Sequence, residues 1–180
     1  MPIDLMMPVH LITGAECIGK NAKALAGLGK RCLIVTGHSG AKRSGALDAV
    51  TQALDAGGIE HAVYSGVAPN PTVESCLAAG RMAAEFGADF VVGIGGGKML
   101  DIAKAVAFYA ELPLCVCPTA ASMDGPCSAI SVLYHEDGSF DRYLMLEKNP
   151  DLVVVDTNVV AAAPLRMTVA GMGDALATYF

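Results

Sequence analysis

The chain has 180 residues, 53% hydrophobic and 17% charged, a composition that fits one folded domain or a domain plus a fragment and excludes disorder. A net charge of −6 gives it no electrostatic attraction for nucleic acid or an anionic membrane, so any phosphate must be gripped locally. No apolar run can span a bilayer, Met1 to Leu11 lacks the basic start of a secretory signal, and the six cysteines lack zinc-finger spacing, so a cytoplasmic protein with reduced thiols is expected.

In chain order, Val9 to Ile12 is apolar, and Gly14 to Lys20 (GAECIGK) behind it has the spacing of a Walker A loop. The next residue is Asn21, where magnesium binding needs Ser or Thr, and no clear Walker B partner follows. The simpler reading is that Gly14 precedes a helix and Lys20 is a solvated side chain. Arg31 to Thr36 (RCLIVT) reads as a buried strand, Gly40 to Ala56 as a helix, and Ile59 to Tyr64 as a second strand. Thr72 to Phe86 is a helix with Thr72 as cap, Glu74 in its first turn and Gly87 as its stop; Val73, Leu77, Gly80 and Ala84 share one face.

Asp89 to Ile94 is the next strand, followed by Gly95, Gly96, Gly97 and a helix from Lys98 to about Tyr109. Leu114 to Cys117 is a short strand. Ser128 to Tyr134 and Arg142 to Leu146 form a hairpin around His135-Glu136-Asp137-Gly138. Leu152 to Val155 is one more buried strand, and from Arg166 the pattern is helical. That last helix meets no stop signal before Phe180, so the chain is expected to continue beyond it. The β–α alternation predicts an α/β fold: a Rossmann-like, doubly wound, largely parallel sheet with helices on both faces and a β-hairpin insertion.

The strongest chemical signal is VVGIGGGKMLDIAK, Val91 to Lys104. A buried strand runs into three glycines and a helix starts at once. Missing β-carbons let a pyrophosphate lie against the backbone, and the N–H groups at a helix start favour its oxygens. Lys98 adds a charge, Asp101 suits the first turn, and Lys104 lies three residues on. Lys98 replaces the last glycine of G-x-G-x-x-G, so a plain strand–helix turn stays open as the alternative.

The second signal, PTAASMDGPCSAISVLY (Pro118 to Tyr134), follows a strand and should lie at the carboxyl edge of the sheet, with Asp124 its one acid before the hairpin turn. A polar surface loop explains it equally well. The third is Asp174 in AGMGDALATYF, an awkward acid inside an apolar helix, with Gly171 and Gly173 permitting close approach of another element. A metal ion is one partner for it. Locally, an acid favoured by a helix N-terminus is the simpler account. His10, His38, His61 and His135 are scattered and complete no metal site.

Five stretches in this order, PNPTVE (Pro69 to Glu74), GIGGGKMLDIAKAVA (Gly93 to Ala107), PTAASMDGPCSAISVLY, NPDLVVVDT (Asn149 to Thr157) and AGMGDALATYF, resemble the iron-containing alcohol dehydrogenase superfamily, its glycerol dehydrogenase branch most closely. The resemblance is strong from Pro69 onward. It implies an α/β dinucleotide-binding domain over residues 1–165 and, at 166–180, the first helix of an all-helical metal-binding domain, with the active site between them. It implies that Gly95, Gly96, Gly97 and Lys98 hold the pyrophosphate of NAD or NADP. Thr119, Ser122, Ser128, Ile130 and Tyr134 match positions lining the ribose and nicotinamide, Asp124 the acid that contacts substrate hydroxyls, and Asp174 the first ligand of a divalent metal, zinc or iron. The implied activity is hydride transfer between a glycerol-like alcohol or polyol and NAD(P), in a homo-oligomer built through the full-length protein.

One departure concerns the cofactor. Many NAD-preferring relatives carry an acid just after the first long strand. Here the run is Thr36-Gly37-His38-Ser39-Gly40, followed by Lys42 and Arg43, so NADP(H) is expected to be tolerated or preferred. Two alternatives stand beside this reading. One is a sister enzyme, a sn-glycerol-1-phosphate dehydrogenase or a dehydroquinate synthase. The other is a non-catalytic NAD(P)-binding unit, since the metal site is incomplete here.

Overall fold

The computed structural model describes residues 9–66 and 70–179. Most of the N-terminal stretch read above, and Pro69 of the PNPTVE motif, lie outside the described residues, as does Phe180.

The strands of the main sheet are β1 (His10–Gly14), β2 (Arg31–Thr36), β3 (Glu60–Tyr64), β4 (Phe90–Gly95), β5 (Leu114–Pro118) and β8 (Leu152–Asp156). They lie in the order β1-β8-β5-β4-β2-β3, all parallel. β6 (Ile130–Tyr134) and β7 (Phe140–Met145) form a separate antiparallel hairpin between β5 and β8. The helices are α1 (Cys17–Lys20), α2 (Ala22–Ala26), α3 (Gly40–Arg43), α4 (Ala46–Ala56), α5 (Val73–Phe86), α6 (Gly97–Tyr109), α7 (Thr157–Ala161) and α8 (Leu165–Ala177).

The central strands are unbroken apolar runs because both faces are covered, as parallel sheets require. On one face, Cys32, Ile34, Phe90, Val92, Cys115 and Val154 pack against α1, α2 and α4. On the other, Leu33, Val35, Val91 and Val116 pack against α5, α6 and Leu133 of the hairpin. The expected doubly wound sheet with a hairpin insertion is therefore the observed one. From β2 the chain runs outward to β3, then returns to β4 on the other side of β2. α4 and α6 cover opposite faces. The crevice of this topological switch opens beyond the carboxyl ends of β2 and β4, where ligands bind in open α/β sheets.

Four local expectations shift. β1 was not foreseen as a strand; it is a short edge strand with Leu11 half exposed, so its burial pattern is weak. The helix expected over Gly40 to Ala56 breaks at Ser44 and Gly45, where Gly45 has φ +76° and starts α4 in a conformation a side chain disfavours. α5 buries Cys76, Ala79 and Ala83 rather than the face with Leu77, which is exposed. In a helix so rich in Ala and Gly the apolar stripe is poorly marked, and the neighbouring α6 selects the small residues. Asp101, placed in the first turn of α6, and Lys104, three residues on, are both buried, which their spacing did not indicate.

The Walker-like stretch grips a side chain. The carboxylate of Asp156 accepts from the N–H of Glu16 (3.2 Å) and Ile18 (3.4 Å), and it caps α7 through Asn158 N–H (3.0 Å). Lys20 is exposed and pairs with Glu16. The anion served by this turn is internal, and it joins the first strand to the last.

Candidate functional site

Gly95 ends β4 at φ +152°, and a β-carbon there would run into Met99 at 2.7 Å. Gly96 caps α6 in extended backbone, no side chain caps that helix, and the space where a β-carbon of Gly96 would stand is open. The helix start, uncapped by any side chain, and the open Gly96 position form a cradle that suits an anion. Gly97 has a different constraint: a β-carbon would overlap the sulfur of Met123. The same side chain leaves no room for one at Gly125. Met123 thus lies across two glycines and seats the loop after β5 on the glycine turn.

Other bonds lock that loop. Thr119 N–H donates to Gly95 C=O (3.0 Å), and Gly95 faces Pro118 across the β4–β5 register. Thr36 donates to Ile94 C=O (3.1 Å), closing the β2 side of the crevice. Lys98 reaches Asn70 Oδ1 (2.6 Å) and lies 5.9 Å from the centre of the Tyr134 ring. Tyr134 N–H donates to Pro71 C=O (2.8 Å), so the hairpin, the loop before α5 and the glycine turn meet at Lys98. Asn70 belongs to this cluster; sequence reasoning quoted it only inside a motif.

Asp124 and Asp174, fifty positions apart, are neighbours. Asp174 Oδ2 accepts from the backbone N–H of Asp124 at 2.9 Å. The contact depends on Gly171, whose β-carbon would overlap the carbonyl oxygen of Ala121 and crowd Ser122. Gly173 faces open space, so of the two glycines only Gly171 marks a close approach. Asp174 lies nine residues into α8, which removes the helix N-terminus as the reason for an acid there. The carboxylate of Asp124 is exposed and makes no capping bond to the 3-10 turn Gly125–Cys127 that follows it.

The residue under this loop is Lys104, 1% exposed. Its ammonium donates to Gly125 C=O (2.5 Å), Ile130 C=O (2.9 Å) and Ser128 Oγ (3.2 Å). Burial drives its pKa down, opposed by the charges of Asp101, Cys127 and Asp124. Burial likewise pushes Asp101 up to about 6, against the pull of Lys104 and the N–H of Val132. Ser131 donates to the Asp101 carbonyl at 2.8 Å.

All eleven candidate residues therefore lie along one edge: Gly95 to Lys98 at the turn, Thr119, Ser122 and Asp124 on the loop above it, Ser128, Ile130 and Tyr134 leading into and along β6, and Asp174 behind Asp124. Among the described residues no three His, Cys, Asp or Glu side chains come together as a metal site. Asp124 and Asp174 are the two carboxylates brought together at this edge. Burial pushes the Cys76 thiol up to about 12 and raises Cys32 as well, while a hydrogen bond with Cys117 and then burial raise Cys115, so these three are held as thiols. A cavity of about 740 Å³ lies between the end of α6 and residues 146–151, at the far end of that helix from the glycine turn. The space at Gly96 is open, and α8 meets the loop after β5 at Ala121 and Asp124. No helix among the described residues is long and apolar enough to cross a membrane.

Fold and site together define a doubly wound α/β domain with a glycine turn at its switch point and a two-acid edge beside it. The profile of the iron-containing alcohol dehydrogenase family matches residues 8–157, and the chain belongs to that family. It is 62% identical over 100 residues to a glycerol dehydrogenase of Pseudomonas putida, covering 56% of this chain and 27% of that one. It is 31% identical over 175 residues to a glycerol-1-phosphate dehydrogenase [NAD(P)+] of Methanothrix thermoacetophila, covering 96% and 48%. The crystal structure of a probable glycerol dehydrogenase from Sinorhizobium meliloti 1021 superposes with a TM-score of 0.84 at 39% identity, covering 96% of this chain and 46% of that one. The chain thus spans less than half the length of these relatives.

Proposed function

We propose that this chain is the dinucleotide-binding part of an NAD(P)-linked, metal-assisted dehydrogenase acting on glycerol-like alcohols or polyols. The observation that carries the reading is the open Gly96 cradle at the switch point, facing the Asp124–Asp174 edge across Met123. Gly95, Gly96 and Gly97 receive the pyrophosphate on backbone N–H groups, and Lys98 neutralises part of its charge. Thr119, Ser122, Ser128, Ile130 and Tyr134 line the path from the turn toward Asp124, where the ribose and nicotinamide would lie. Asp124 accepts a hydrogen bond from a substrate hydroxyl and so orients it. Asp174, steadied by the Asp124 N–H, presents its other carboxylate oxygen as a ligand. Bound NAD(P) supplies the hydride acceptor, and a divalent metal, zinc or iron, supplies a Lewis acid at the alcohol oxygen. The assembly is a homo-oligomer of the full-length protein, and the substrate alcohol is read from the relatives' names.

Cofactor choice belongs to the same proposal. Lys42 is held by Asp48 at 2.5 Å, which leaves exposed Arg43 as the better cation for a 2′-phosphate. Binding of NADP at least as tight as NAD is expected, and Arg43→Glu should weaken NADP alone; binding of NAD only contradicts this. The likeness to a glycerol-1-phosphate dehydrogenase supports a phosphorylated polyol as the second reading. Amide shift mapping tests the site. On adding NAD or NADP, the N–H signals of Gly96 to Met99, Thr119 and Ser122 to Ile130 should move, and those of Gly14 to Lys20 should not. Shifts confined to other parts of the chain contradict the reading.

A further inference from the structure

We propose that Lys104 is a positioning residue, which fixes the Asp124 loop relative to the glycine turn through its bonds to Gly125, Ser128 and Ile130. The proposal rests on the dinucleotide reading above. An ammonium has three donors, and here three oxygens meet it at 2.5, 2.9 and 3.2 Å. Two belong to the turn that follows Asp124, and the third to the first residue of β6. The ammonium is saturated and 1% exposed, so it is not placed to meet a ligand itself.

The geometry explains why the lysine stands where it does. α6 begins at Gly97, in the cradle, and Lys104 is two turns along, about 10 Å by helix rise. One rigid helix therefore carries the cradle at its start and the anchor of the acid loop in its middle. Asp101, one turn before Lys104, completes the anchor. Its charge offsets the ammonium, its carbonyl accepts from Ser131, and its carboxylate takes the Val132 N–H. Gly125, Ser128 and Ile130 are thus held from below by the Lys104 side chain and Ser131 by the backbone of the same helix, while Met123 lies against Gly97. An apolar residue of the same length at position 104 would fill the space but remove all three ammonium bonds, leaving Gly125 C=O only its donors from Ser128.

The role predicts a division between the two ends of the cofactor. ADP carries the pyrophosphate without the second ribose and reads the cradle alone, whereas NADH also reads the loop where the ribose and nicotinamide would lie. In Lys104→Met, ADP affinity by calorimetry should change less than about twofold, while NADH should bind about tenfold more weakly and lose the fluorescence change that marks an ordered nicotinamide. Lys104→Arg should not restore it, because a planar guanidinium does not match three converging oxygens. Ser131→Ala, a one-atom deletion beside the anchor, should give the same division at about two- to threefold. It carries the test should Lys104→Met fail to fold. Equal loss of both ligands, or no loss of NADH in the folded variants, overturns the positioning role while the cofactor reading stands. Binding of neither ligand to the native chain overturns both.

Discussion

The glycines of the cradle are not equivalent, and substitution should separate them. Gly96 faces open space in extended backbone, so Gly96→Val should fold with the native melting temperature and lose only what the cradle binds. Gly93→Ala meets the β-carbon of Ala103 at 2.5 Å inside the core; urea unfolding should show a loss of about 1–3 kcal/mol with no direct effect at the cradle. Asp101 gives a pH signature. Its folded pKa of about 6 lies above the ordinary 3.8, so between those values the folded chain binds more protons than the unfolded one, and stability falls as pH rises through that window. Asparagine mimics the protonated form. The stability of Asp101→Asn relative to native should therefore rise by up to about 3 kcal/mol from pH 4 to pH 7 and level off above it. Parallel curves for the two proteins would show that Asp101 is not held in this way.

At the scale of elements, the long strands and α5 were legible because their signals are local. Thr72 accepts from Ser75 N–H at 3.2 Å as the cap it was expected to be, and Thr72→Ala should cost about 1 kcal/mol in urea unfolding. The glycine turn was legible for the same reason: strand, glycines and helix are consecutive. What could not be read is non-local. The bond from Asp124 to Asp174 joins residues fifty apart, and nothing in either segment's spacing announces it. Lys104 three residues after Asp101 has the spacing of an exposed helix pair, and only the hairpin folded over α6 buries it. β1 was hidden by its exposed edge position, and the Walker-like loop beside it by the missing knowledge that Asp156 would fill it. At this scale Gly171→Ala is the informative substitution. A methyl there pushes α8 off Ala121, so the Asp124 amide should exchange with solvent about tenfold faster while the sheet amides keep their native rates. Unchanged exchange at Asp124 would mean that α8 does not hold the loop.

For the molecule as a whole, the sheet order places β2 and β4 at the switch, and everything proposed for the site follows from the crevice between them. The acidic net charge is consistent with a cradle that binds phosphate through backbone N–H groups and one lysine rather than through a basic surface. α8 carries Leu165, Val169, Met172 and Leu176 exposed on one side, while its other side meets the Ala121–Asp124 loop. The central claim is that the turn at Gly96 holds a dinucleotide. Its most direct test is calorimetric titration of the native chain and of Gly96→Val with NAD and NADP under one set of conditions. The account predicts saturable binding by the native chain and a loss of at least about tenfold in a variant of unchanged melting temperature. Equal binding by the two proteins would contradict it.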